Sequence, residues 1–392
     1  MKFPERFSNL PAYAFPRLRT LLDSHPAGGD VVHMTIGEPK HAFPAWITDV
    51  IAEHAAGFNN YPPNEGIPEL RRAFCDWLGR RYGVEKDPDV HVMPLNGTRE
   101  GLYNAAMALC PEEKNGARPV VLMPNPFYQV YMLAAISAGA DPVLVPATAE
   151  TGHLPDFASV DPEILNRAVA CYMCSPANPQ GAVAEAAYWG DLISLAERYD
   201  FQIFADECYS EIYRDVPPVG VLECIADANP ERVAAFHSLS KRSNLPGLRS
   251  GFIVGGPDTM REVRQLRTYA GTPLPSPLQH AAAAVWADED HVIDNRAQYH
   301  EKYDLADRIL GNVPGYAAPE AGFFLWLPVH DGEAAALKLW QATGVRVLPG
   351  AYLARDIDGV NPGDGYIRVA LVAPKAETER GLTAIRDTLY AA

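Results

Sequence analysis

Basic residues are scarce in this chain: 33 Lys and Arg stand against 49 Asp and Glu, a formal net charge of −16. A global field of that sign excludes nucleic acid and anionic membranes as main partners, so an anionic ligand would need locally placed arginines. No run approaches the roughly 20 apolar residues that a membrane-spanning helix requires. The opening MKFPERFSNLPAYAFPRL has neither an apolar h-region nor a small-residue cleavage site, which predicts a cytoplasmic protein. Cysteine is also sparse, six in 392 residues, as expected of reduced thiols. Cys171 and Cys174 form a C-x-x-C, but they lie in an apolar run that predicts a strand. Residues three apart on a strand face opposite ways, which argues against a redox or metal pair. The segment ADEDH, Ala287–His291, sets one histidine among hard carboxylates and fits a solvated helix start better than a metal centre. There is no G-x-x-x-x-G-K-[ST] loop and no G-x-G-x-x-G after a strand, which removes the two commonest nucleotide-binding schemes.

What is present is the composition of a globular protein, 48% hydrophobic and 21% charged. Its 392 residues are too many for one ordinary core, so two lobes are expected. Residues 1–45 are Pro-rich and irregular. From about Ala45 helical and strand signals alternate: PELRRAFCDWLGRRYG and REGLYNAAMALC are amphipathic helices. The runs PVVLMP, DPVLVPA, AVACYMC, FQIFAD, VAAFHSL and SGFIVGG are short strands. Alternation of this kind predicts an α/β domain, a mostly parallel sheet between helices, with ligands outside the carboxyl ends of the strands. Past Trp286 a long helix leads to GFFLWLPV, EAAALKLWQATG, VRVLP and GYIRVALVA, the pattern of a smaller α+β domain.

Four polar clusters each follow an apolar run. In LNGTREGL, Asn96, Gly97 and Thr98 precede a helix, where backbone N–H groups and the dipole favour an anion or a plain N-cap. In CSPANPQGA, Asn178 is held before Pro179 in a turn. In FADECYSEIY, Asp206 closes an apolar run and Tyr209 follows three residues on; a carboxylate there is costly unless paired or used. The fourth cluster, FHSLSKRSNLPGLRSGFIVGG, gathers Ser238, Ser240, Lys241 and Arg249 in a polar loop between two buried strands. Arg249 beside Gly251 could grip a phosphate while the backbone approaches closely. A lysine among cations and dipoles has a lowered pKa and can attack an aldehyde. Lysine, anion cradle and buried acid together suit pyridoxal phosphate.

These motifs resemble those of class I/II aminotransferases of fold type I, and the likeness spans nearly the whole chain. S-x-S-K-x5-G-x-R-x-G is met by Ser238, Ser240, Lys241, Gly247, Arg249 and Gly251; D-x-x-Y by Asp206 and Tyr209. N-P-x-G is met by Asn178, Pro179 and Gly181, and Y-x4-G-x3-L-R by Tyr61, Gly66, Leu70 and Arg71. The resemblance implies a homodimer with shared active sites, in which Tyr61 reaches the neighbour's cofactor phosphate. It implies an N-terminal arm (1–45) packed with the small domain, a large cofactor-binding domain (46–285) and a small C-terminal domain (286–392). Lys241 would be the Schiff-base lysine and the proton carrier, and Asp206 would keep the pyridine nitrogen protonated. Tyr209 and Asn178 would bond the ring oxygen, and Tyr128 would stack on the ring. The phosphate would be held by Gly97, Thr98, Arg99, Ser238, Ser240 and Arg249. Arg368 in GYIRVAL would bind the substrate α-carboxylate, with Asn178 and the backbone of Gly37 beside it.

NGTREGLYNAA, PNPFYQVY and YMCSPANPQGAV are most similar to succinyldiaminopimelate aminotransferases. That likeness implies glutamate as donor and a long, doubly anionic keto acid as acceptor, with Arg17, Arg19 and Arg99 as candidates for the second carboxylate. Aminotransferases for aspartate, aromatic or alanine-type substrates are alternatives. A carbon–sulfur β-lyase or a decarboxylase could use the same residues, because the cofactor permits several bond cleavages. A DNA-binding regulator on this fold would need a basic added domain, for which nothing before Tyr61 leaves room. A structural protein without catalysis is disfavoured by Lys241, Asp206 and Arg249 all being present.

Overall fold

Continuous apolar runs become strands when both faces of a sheet are covered. The computed structural model describes residues 5–8, 10 and 12–391. After a short β1 (Val32–His33), seven strands build the large sheet. They are β2 (Val92–Leu95), β3 (Val120–Asn125), β4 (Asp141–Pro146), β5 (Ala168–Cys174), β6 (Gln202–Asp206), β7 (Val233–Ser238) and β8 (Gly251–Gly255), in the order β2-β8-β7-β6-β5-β3-β4. Strands β3 to β7 run parallel, and β8 is antiparallel to both its neighbours. Side chains alternate between two cores. Cys171, Met173, Ile203 and Ala205 face one with Trp189, while Tyr172, Phe204 and Phe236 face the other with Tyr131. Cys171 and Cys174 enter different cores, and both are free thiols.

A second, three-stranded antiparallel sheet has the order β11-β12-β9, from β9 (Phe324–Pro328), β11 (Leu348–Pro349) and β12 (Tyr366–Ala370); β10 (Val345–Arg346) pairs instead with β1. Leu325, Leu327, Ile367 and Val369 share a core with Leu339 and Leu382 from its helices. The long helix Asp290–Leu310 adds Tyr299, Tyr303 and Leu310 to that core.

Three features depart from the pattern expected from sequence. Residues 1–45 are not wholly irregular: Ala14–Leu22 is a helix whose Ala14, Leu18 and Leu22 pack on Trp340, Leu348 and Tyr352. Their four-residue spacing makes one apolar face, and Pro16 falls in the first turn, where the missing N–H costs nothing. Second, β2 arises from VMPL, whose four residues and internal proline gave no periodic signal; its edge position tolerates Pro94. Third, the loop between β7 and β8 opens with a helical turn, Leu239–Arg242, capped by Ser238.

Candidate active site

The polar clusters converge at the carboxyl ends of β5, β6 and β7, where β12 of the small sheet brings Arg368 to them. Together they wall a cavity of about 610 Å³. Asp206 ends β6 and is 5% exposed. The Tyr131 hydroxyl donates to its Oδ2 at 2.8 Å and the Cys208 N–H to its Oδ1 at 3.4 Å. Burial pushes the Asp206 carboxyl up from its ordinary value, while these donors and nearby Lys241 pull it back. Among the described residues Asp206 forms no ion pair, so an acceptor of nearly fixed direction is left facing the cavity.

Lys241 lies in the turn after β7, and its Nζ donates to the Gly37 carbonyl. Burial pulls its amine down to about 8; Arg368 and Arg249 add to that, and Cys208 and Glu38 oppose it. Among the described residues no carboxylate within ion-pair distance holds the proton on, which is what a lysine nucleophile needs. Gly37 can approach so closely because it lacks a Cβ: one built there would collide with Phe324 and Phe323.

Arg368 is 4% exposed on β12. Its Nη1 donates to Asn178 Oδ1 at 2.9 Å and its Nη2 to the Thr35 carbonyl at 2.7 Å. Nε is buried without a partner among the described residues, and the guanidinium lies 4.2 Å from the Phe324 ring centroid. Every partner is neutral, and burial pulls the group down to about 10. A buried cation with an orphaned donor calls for an anion. Asn178 Nδ2 in turn donates to the Tyr209 hydroxyl at 3.4 Å, joining the two residues expected to share one ligand oxygen.

At the other end, Gly97 takes φ +80° immediately before the helix Thr98–Leu109, and a Cβ there would strike the Arg249 guanidinium. Arg249 donates to the carbonyls of Pro246 (2.8 Å) and Asn96 (3.0 Å), which aims it over the helix N-terminus. The free N–H groups of a first helical turn beside an arginine form an anion cradle. Thr98 and Ser240 line the cavity. Ser238 does not: it is 3% exposed and accepts the Ser240 N–H at 3.1 Å, capping the turn that presents Lys241. The Arg99 side chain leaves the cradle as well, its Nε donating to the Tyr128 hydroxyl on the cavity wall. Tyr61 is fully exposed and lies outside the cavity of its own chain. Sequence spacing missed Tyr131, although NPFYQVY holds it one helical turn beyond Tyr128. It missed Cys208, whose Sγ lies 2.9 Å from Thr98 Oγ1.

A buried amine with a depressed pKa, a buried acid, an aromatic wall and an anion cradle fit pyridoxal phosphate in ring, aldehyde and phosphate. They define a pyridoxal-phosphate enzyme. The family model for aminotransferase class I and II matches residues 29–385, and the chain belongs to that family. An aminotransferase from Neisseria meningitidis is 39% identical, with a TM-score of 0.93 over 97% of this chain and 98% of that one. Aminotransferase AspB from Helicobacter pylori is 33% identical, with a TM-score of 0.89 over 98% of each chain. The LL-diaminopimelate aminotransferase of Dehalococcoides mccartyi is 33% identical over 397 residues, 99% of each protein. No helix among the described residues is long and apolar enough to cross a membrane.

Proposed function

We propose that this aminotransferase acts on a long amino or keto acid bearing a second carboxylate, of the diaminopimelate type, with glutamate as amino donor. Bound pyridoxal phosphate supplies a ring that stabilises negative charge at the substrate Cα. Around it, Asp206 would hold the protonated ring nitrogen, and Tyr131, which donates to that carboxylate, keeps it aligned. Arg368 grips the α-carboxylate, which fixes the direction of the Cα–H bond. The Lys241 amine, depressed by burial, takes the Cα proton and returns it on the other side of the exchange.

The single observation behind the substrate class is Arg99. Of the three arginines considered for a second carboxylate, it alone lines the cavity. Arg17 is engaged by Glu333 at 3.2 Å and lies over the Tyr352 ring, on the rim of a separate acidic hollow of about 810 Å³. Arg19 is exposed on the outer face of its helix. The relatives named as LL-diaminopimelate aminotransferases support the same class. For Arg99→Ala, KM for a seven-carbon dicarboxylic substrate is expected to rise about 10- to 100-fold, the loss of one hydrogen bond to a charged group. KM for alanine should not change. An equal rise for both would place the second carboxylate elsewhere.

The proposal includes a homodimer. Tyr61 at 102%, Tyr269 at 89% and Phe58 at 56% exposure are large apolar side chains with nothing over them in one chain. A sedimentation coefficient of a single chain at working concentration would remove this part.

A further inference from the structure

Behind Lys241 lies a buried polar cluster that the reaction as described does not use. Lys302, on the helix Asp290–Leu310, is 2% exposed and forms no ion pair among the described residues. Its hydrogen-bond partner is His41 Nε2, at 2.7 Å. An ammonium only donates, so Nε2 must be the bare nitrogen and Nδ1 must carry the hydrogen. That Nδ1–H meets Asn295 Oδ1 at 2.9 Å. Burial favours the neutral ring, and Lys302 pushes the same way, against the bond to Asn295.

Asn295 sits two helical turns before Lys302, and its amide ends on the reactive segment. Nδ2 lies 3.4 Å from the Lys241 carbonyl and 3.3 Å from that of Arg242. Asn244, just past the same turn, donates to Asn295 Oδ1 at 2.9 Å and to the Ala42 carbonyl at 3.2 Å. The loop carrying His41 and Ala42 also carries Gly37, whose carbonyl receives the Lys241 amine. One loop is therefore bonded to Lys241 at the side chain, and through Asn295 at the backbone. A partly buried relay of matched donors and acceptors holds its members in one arrangement.

We propose that His41 is a positioning residue, which through Asn295 and Lys302 fixes the Gly37 loop against the Lys241 turn and so sets where the lysine amine stands. The inference rests on Lys241 being the reactive amine. His41→Phe keeps the ring that packs 4.6 Å from Tyr299 but breaks the relay. His41→Gln loses the ring but can accept from Lys302 and donate to Asn295. Positioning predicts that kcat falls about tenfold in the Phe variant, the worth of a buried hydrogen bond, and less than about threefold in the Gln variant. KM for glutamate, set at Arg368, stays unchanged. The rate at which added pyridoxal phosphate develops the visible band of apoenzyme falls with kcat. Since the Phe variant leaves Lys302 buried without a partner, His41→Phe with Lys302→Met serves as the folded control and is expected to show the same loss. A Gln variant as impaired as Phe, or a double variant with wild-type kcat and loading, would overturn the proposal. Turnover by Lys241→Ala would instead remove the reading on which it rests.

Discussion

Lys241→Ala is expected to lose at least about 10⁴-fold in transamination rate, the upper end of what one positioned proton-transfer group supplies. The loss should be that large because the proposed reaction gives one amine two duties, attack on the cofactor aldehyde and carriage of the Cα proton. The variant should stay folded. Among the described residues the amine's one hydrogen bond is to the Gly37 carbonyl, and burial already disfavours its charged form. An amine held at about 8 is unprotonated in about one molecule in ten at pH 7, against fewer than about one in a thousand at an ordinary 10.5. Loading of wild-type apoenzyme should therefore accelerate as pH rises toward 8 and level off above it. Acceleration continuing through pH 10 would mean that the amine is not depressed. Turnover by Lys241→Ala within tenfold of wild type would mean that another base does its work.

The second large effect is expected at Arg368. Its guanidinium is buried among neutral partners with Nε unpaired, so the α-carboxylate would be its only full counter-charge. Two charge-assisted bonds at about 1.5–3 kcal/mol each put Arg368→Ala about 10²- to 10⁴-fold down in kcat/KM. KM should rise and kcat fall together, because the grip also sets the Cα–H direction. Arg368→Lys keeps the charge but gives up one bond and should lie between the two. Unchanged kinetics with an amino acid donor would move the carboxylate site away from β12.

Much of this architecture was legible because strands β3 to β8 are short, largely apolar runs bounded by polar segments. Asp206, Asn178 and Lys241 stood out for a related reason: each follows a buried run, where a polar group without work is costly. Strand β2 and the helix Ala14–Leu22 escaped notice, one being four residues with a proline and the other lying in a Pro-rich stretch. Tyr131 carries no chemical signal in sequence, since its value lies in a hydrogen bond to a residue 75 positions away. The His41, Asn295 and Lys302 relay joins partners separated by 254 and 261 positions, and no spacing rule spans such distances. Arg99 was visible as a cation near the cradle. Only the fold shows that its side chain turns to the Tyr128 hydroxyl on the cavity wall.

One measurement tests the substrate assignment most directly. The enzyme is first converted by glutamate in the absence of any acceptor, and the visible band of the loaded cofactor is followed as keto acids are added one at a time. The site described here predicts that a seven-carbon dicarboxylic keto acid restores the band at a far lower concentration than pyruvate or phenylpyruvate. Recovery with pyruvate at the lowest concentration would contradict it, because Arg99 would then have no carboxylate to meet.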